Sequence, residues 1–202
     1  LSEDEQIVDN YIFPTSTEIQ FTCRLVYNNP MDPDYTASVS VNSKDAIDPT
    51  GSIPIQNVFD FYKTNSNSFN LVGRSATIEG LPVCLKQTPT DTIFKFPLTY
   101  GMTYNSSTSS EISVPGFGYY GQTLDRNSVV DSWGTLTLNL GSFDVIRVKS
   151  TLNIVDTMYS DSNGFGLKIP RVETHYTWLS KDYKVPLLII KERGPMFGGT
   201  IA

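Results

Sequence analysis

The sequence predicts an all-β protein: an antiparallel curved sheet of eight or more strands, rolled into a half-barrel or doubled into a β-sandwich, with at most one or two short helices. Three observations carry this. Ser, Thr and Asn account for 55 of the 202 residues, while charged residues make up 18%. Hydroxyl and short amide side chains are poor in helix interiors but good on strand faces and in turns. Apolar residues recur with period two in several segments, the mark of a half-buried strand. No stretch carries an i, i+3, i+4, i+7 stripe of helical length, and the one place where a short helix fits is 124 to 132.

Taken in order, the opening LSEDEQIVDN is acidic and has no sustained apolar face, so residues 1–16 read as a loose N-terminal tail on a single β-rich domain spanning 1–202. The TEIQFTCRLVY segment sets Ile19, Phe21, Cys23, Leu25 and Tyr27 on one side of a strand. After the turn-forming NNPMDPD, YTASVSV repeats the device with Tyr35, Ala37, Val39 and Val41. Residues 42 to 56 read as a loop, and NVFDFYK, SFNLVG and SATIEG as short strands broken by Asn, Ser and Gly. Pro82, Pro89 and Pro97 predict brief or edge strands from 81 to 101, because proline cannot donate to a ladder. The NSSTSS stretch at 105 to 110 reads as a mobile loop tip. The second half is more regular: SEISVPGFGYYGQTL, VVDSWGTLTLNL, FDVIRVKSTLNIVDTM, LKIPRVETHYTWL and KVPLLIIKER are β-rich, separated by DRNS, a GS turn at 141 and 142, YSDSNGFG and SKDY.

Phe96, Pro97, Leu98, Thr99, Tyr100 and Gly101 are followed by Asp131, Trp133, Gly134, Thr135, Leu136, Leu138, Gly141, Phe143, Val145, Arg147, Val148 and Lys149. This pattern, FPLTYG then DSWGTLTLNLGSFDVIRVK, resembles uncharacterised exported or cell-envelope β-domains of Bacteroidetes. Asn139 and Leu140 stand where that family has a Leu-Pro pair, and the Tyr176 to Lys191 stretch is similar to its closing strand. The resemblance covers about half of the chain. It implies a fold and an exported location (periplasm, outer-membrane surface or extracellular) but brings no catalytic residues. A looser likeness of expected shape is to the curved half-barrels of periplasmic lipoprotein carriers. Physically the motif reads as scaffold: Gly134 and Gly141 at a turn or bulge, Trp133 covering a sheet face, and Arg147 paired with Asp131, Asp144 or Glu173.

The chemistry is defined as much by what is missing. Fifteen cationic residues face 21 acidic ones, a net charge of −6, with no cationic cluster for a row of phosphates, so nucleic acid is not an expected partner. No apolar run approaches the roughly 20 residues of a membrane-spanning helix. The chain opens on Leu1 without an initiator Met, which suits either a mature product, consistent with removal of a signal sequence, or a trimmed chain. Cys23 and Cys84 lie 61 residues apart and match no zinc or redox spacing; they read first as packed thiols, with one disulfide in an oxidising compartment as the alternative. His175 is the only histidine and reads as a hydrogen-bonded bystander, so no catalytic residue, metal or cofactor is assigned. The acidic runs at 32 to 34, 45 to 48 and 161 to 164 lack the register of a calcium loop and read as turns.

Aromatic density is what remains. The PGFGYYGQTL segment sets Phe117 and Tyr119 on one side of a strand and Tyr120 on the other, among three glycines. Phe117, Tyr119, Tyr120 and Trp178 are the candidate ligand-binding residues, since aromatics beside bare backbone suit a sugar ring or a lipid chain. The expected function is a non-enzymatic exported domain that binds a hydrophobic or glycan ligand, or a surface protein partner, at the cell envelope. The alternative is a structural or adhesion component of a surface assembly. A third reading is a glycan-acting hydrolase, which would need Glu79, Glu111 or Glu173 paired with an Asp across a cleft.

Overall fold

The computed structural model describes residues 39–42, 55–78, 81–114, 118–160, 164–183 and 185–194. These hold nine strands and no helix: β1 (Val39–Asn42), β2 (Ile55–Thr64), β3 (Ser68–Ile78), β4 (Leu81–Lys95), β5 (Thr103–Val114), β6 (Gly118–Leu138), β7 (Gly141–Ser160), β8 (Phe165–Leu179) and β9 (Leu188–Arg193). Each pairs antiparallel with the next, so the sheet is one continuous meander, curled as a half-barrel. The predicted strand of residues 17–27, the tail 1–16, Cys23, Phe117 and the acidic turns at 32–34, 45–48 and 161–163 lie outside the described residues.

The strands are longer than the sequence reading made them. Residues 124 to 132 are not helical; they run through the middle of β6, where Leu124, Arg126, Ser128 and Val130 alternate inward. DRNS is therefore part of a strand of 21 residues and not a break. The NSSTSS stretch is not a loop tip but the body of β5. Its hydroxyls replace apolar side chains on the inner face: Thr108 and Ser110 are buried, Thr108 donates to the Pro89 carbonyl (2.5 Å), and the Thr92 N–H donates to Ser106 Oγ (2.9 Å). SFNLVG and SATIEG join as β3.

β4 is not brief, in spite of its prolines. Leu71 pairs with Asp91 and Gly73 with Lys86, so residues 87–90 make a wide bulge opposite Val72 that carries Pro89 out of the ladder. The β6–β7 turn is Asn139–Leu140, flanked by the Leu138 and Gly141 pair, and not Gly141–Ser142. Gly141 opens β7 with φ of 135°, a region that glycine tolerates best. Gly118 has φ of 140°, and a Cβ there would run into the Tyr159 carbonyl.

The core explains the curl. Phe69, Phe94, Phe96, Leu98, Tyr104, Val130, Ile146, Val148 and Leu179 form one buried cluster, drawing on β3 and β4 as well as β5 to β8. A flat meander could not bring these together. Tyr62 stacks on Phe69 at 4.8 Å and Phe69 on Phe94 at 6.0 Å, and each fully buried large side chain contributes about 1.5–3 kcal/mol. Phe96 and Leu98 of the FPLTYG segment plug this end of the curl, while Tyr100 is exposed. Trp133 pairs with the core residue Ile146 and is 37% exposed. Cys84 is disulfide-bonded, which replaces the packed-thiol reading, and the chain's other cysteine is Cys23.

The weakest ladder is the β4–β5 seam, where only Thr88 and Ser109 pair. Side chains close it. Arg126 on β6 reaches across β5 to Asp91 on β4 in a two-point ion pair, Nε to Oδ1 at 3.0 Å and NH2 to Oδ2 at 2.7 Å, with Asp91 fully buried. The Tyr104 hydroxyl donates to the Ile93 carbonyl (2.8 Å). Removing one member of a buried ion pair strands the other charge without water. Asp91→Ala or Arg126→Ala should each lower unfolding stability in urea by about 3–5 kcal/mol, whereas the double replacement Asp91→Leu with Arg126→Met should recover most of that loss. Single losses below about 1 kcal/mol, the scale of an exposed pair, would show that the seam does not depend on this contact.

Candidate functional site

Alternation along β6, β7 and β8 gives the sheet two faces of different chemistry. The inner face is apolar at one end and ionic at the other. At the ionic end Tyr120 and Gln122 donate to Asp156 Oδ1 (2.9 and 2.8 Å), and Arg171 pairs with Asp156 and with Glu173. His175 Nε2 lies 2.9 Å from Glu173 Oε2, with Arg193 beside the other oxygen. Arg74 grips Asp60 through two contacts, 2.6 and 3.1 Å. Burial pushes the Tyr120 phenol above its ordinary value, partly offset by the Arg171 and Arg74 charges.

This cluster has carboxylates and an imidazole, but its charges are mutually satisfied. The His175 hydrogen bond first, and then Arg171 and Arg193, hold the Glu173 carboxyl down at about 2 against the opposing effect of burial. A general acid working near neutral pH needs the opposite shift. Among the described residues no group of three or more His, Cys, Asp or Glu could hold a metal ion.

The outer face carries the candidate site. Register across the strands sets out three neighbouring rows. The first is Arg147, Trp178 and Leu188; the second Thr103, Val129, Lys149, Tyr176 and Ile190; the third Asn105, Asn127, Thr151, Thr174 and Glu192. In the first, Asp131 receives Arg147 Nε and NH2 at 2.9 and 3.0 Å, and this bond raises the arginine's affinity for its proton. The Arg147 guanidinium lies 5.4 Å from the Tyr176 ring and 5.5 Å from Trp178, within cation–π range. Trp178 and Tyr176 are 6.3 Å apart, tilted by 35°. Lys149 Nζ lies 5.7 Å from the Tyr176 ring centre.

Beside this ladder a groove of about 500 Å³ opens between β5, β6 and β7, lined by Thr103, Asn105, Asn127, Val129, Lys149 and Thr151. The hydroxyls of Thr103 and Thr151 and the amides of Asn105 and Asn127 make no side-chain hydrogen bond to a described residue. Such groups both donate and accept, so the groove offers a polar ligand several unoccupied partners.

The four residues predicted from the sequence do not form one site. Phe117 lies outside the described residues. Tyr119 is on the outer face at the far end of β6, its hydroxyl donating to Glu111 Oε2 at 3.0 Å; it is ten residues from Val129, roughly 33 Å along an extended strand. Tyr120 faces inward, into the ionic cluster. Trp178 alone reaches the groove's neighbourhood. Sequence reasoning missed Tyr176 as a site residue although it shares Trp178's face two positions away, and it missed Asn105 by reading its segment as a loop. Asn127 and Thr151 carried no signal, because only strand register brings them together.

The depressed Glu173 carboxyl makes stability depend on pH. Since the group sits below its ordinary 4.5, its contribution is fully present above about pH 4.5 and is lost as pH falls toward 2. The melting temperature of the wild type should exceed that of Glu173→Gln at pH 6, and the gap should narrow steadily on acidification to pH 2.5. A gap that stays constant with pH would refute the assignment.

Comparison with protein-family models, curated proteins and solved structures finds no match.

Proposed function

We propose that this protein is a non-enzymatic, exported domain of the cell envelope that binds a glycan in the outer-face groove. The observation that carries the reading is the groove itself: four neutral polar side chains without partners among the described residues, with the Tyr176 ring beside Lys149 of the lining and Trp178 next to Tyr176 on β8. Sugars present hydroxyls that need groups able both to donate and to accept, and amides and hydroxyls are such groups. Aromatic rings beside them suit the apolar face of a pyranose. A glycan fits better than a lipid chain, because the apolar end of the inner face is filled by the protein's own Phe69, Phe94, Phe96 and Leu98. Export is supported by the Cys84 disulfide, since such bonds persist in oxidising compartments, and by the likeness of the FPLTYG and DSWGTLTLNLGSFDVIRVK segments to envelope domains of Bacteroidetes.

The structural or adhesion reading has one observation in its favour. Val172 and Ile190 are 49% and 43% exposed on the outer face of β8 and β9, apolar side chains that a neighbouring subunit would cover. Concentration-dependent assembly in sedimentation velocity would support that reading.

Glycan binding is tested by screening the protein against an array of neutral and acidic oligosaccharides, followed by calorimetry on the hits. Asn127→Ala and Trp178→Ala should each weaken binding about fivefold or more, the scale of one lost hydrogen bond or ring contact. Failure to bind any array member at high micromolar protein would sink the proposal, as would full affinity in both variants.

A further inference from the structure

We infer that the glycan taken by the groove is acidic, and that Lys149 receives the carboxylate of a hexuronic acid unit. This rests on the glycan reading above and deepens it. The two cations of the site are used differently. Arg147 is already engaged: Asp131 accepts from both Nε and Nη2, and the guanidinium lies over the Tyr176 and Trp178 rings. Lys149 lies two residues along β7 on the same face, lines the groove, and forms no ion pair with a described carboxylate. Its contact is the Tyr176 ring, which steadies the side chain without neutralising it.

An ammonium without a counter-charge among the described residues is notable in a chain of net charge −6. The remaining groove side chains are neutral, so an anionic group entering beside Lys149 meets no carboxylate in the lining. Asp125 lies one row beyond Asn127 on the same face and bounds the region that tolerates an anion. A ligand that fits must therefore bring one negative charge next to several hydroxyls on a small ring. A hexuronic acid has that composition, its carboxylate on C5 and hydroxyls around the ring. The lysine takes the anion as a point charge, and Asn105, Asn127, Thr103 and Thr151 take the hydroxyls.

The test uses the whole chain with three soluble probes of equal length: an oligogalacturonate, the same oligomer with its carboxyls reduced to alcohols, and a sulfated neutral oligosaccharide. Calorimetry in low salt should show the oligogalacturonate binding about fivefold to tenfold more tightly than its reduced counterpart, a ratio that shrinks with added salt. In Lys149→Gln the ratio should fall close to one, and in Lys149→Arg it should persist. Urea unfolding of both variants checks that each is folded. Equal affinity for the charged and reduced oligomers would overturn the acidic-ligand inference while leaving the glycan reading intact. Preference for the sulfated probe over the uronate would overturn the carboxylate assignment. An undiminished uronate preference in Lys149→Gln would overturn the role of Lys149. Binding of none of the three would overturn the hexuronate inference, while the oligosaccharide array decides the glycan reading separately.

Discussion

The β4–β5 seam is the constraint on which the architecture turns. The intrinsic twist of its strands lets a nine-stranded meander curl but does not say where it folds, and here the backbone ladder thins to a single pair between its fourth and fifth strands. Two kinds of side-chain contact make that thin place a fold line. Arg126 ties Asp91 across β5, and the aromatic cluster packs β3 and β4 residues against β6, β7 and β8. The salt bridge supplies orientation, because two forks meeting at two points allow one relative placement of the strands. The hydrophobic cluster supplies the free energy that offsets the chain entropy of closure.

Closing the sheet in this way gives its two faces different duties. Inside, buried carboxylates must be paired, so Asp156 and Glu173 are held by Arg171, with His175 and the more exposed Arg193 completing the contacts of Glu173. Buried carboxylates are affordable only in that company. Outside, water satisfies polar groups, so Asn105, Asn127 and Thr151 can remain unpaired at little cost and stay available to a ligand. The cation–π ladder on that face orders Arg147 and Lys149 from below, through the Tyr176 and Trp178 rings. A rigid strand scaffold then positions every groove side chain, which lowers the entropic cost of recognising a flexible sugar.

The candidate site shows where sequence reading stops. Tyr119 and Tyr120 stood out because they sit among glycines, yet they are ionic-cluster and strand-end residues, and their neighbours in sequence point to opposite faces. Asn105 was hidden in a serine-rich run that looks like a loop. It is a strand because Thr108 and Ser110 can be buried once partners such as the Pro89 carbonyl are present, and those partners come from β4, some 19 residues away. Likewise, Arg147 offered three possible acidic partners in the sequence; the bulge between Val130 and Ser132 is what turns Asp131 toward it.

By itself the sequence determined the all-β fold class and the extended character of the second half, because period-two burial and turn chemistry are local properties. Only the tertiary structure decided the strand lengths, the disulfide state of Cys84, the partner of Arg147 and the assembly of the groove. These depend on register between strands tens of residues apart, and one residue of slip would move Asn127, Lys149 and Tyr176 to the buried face.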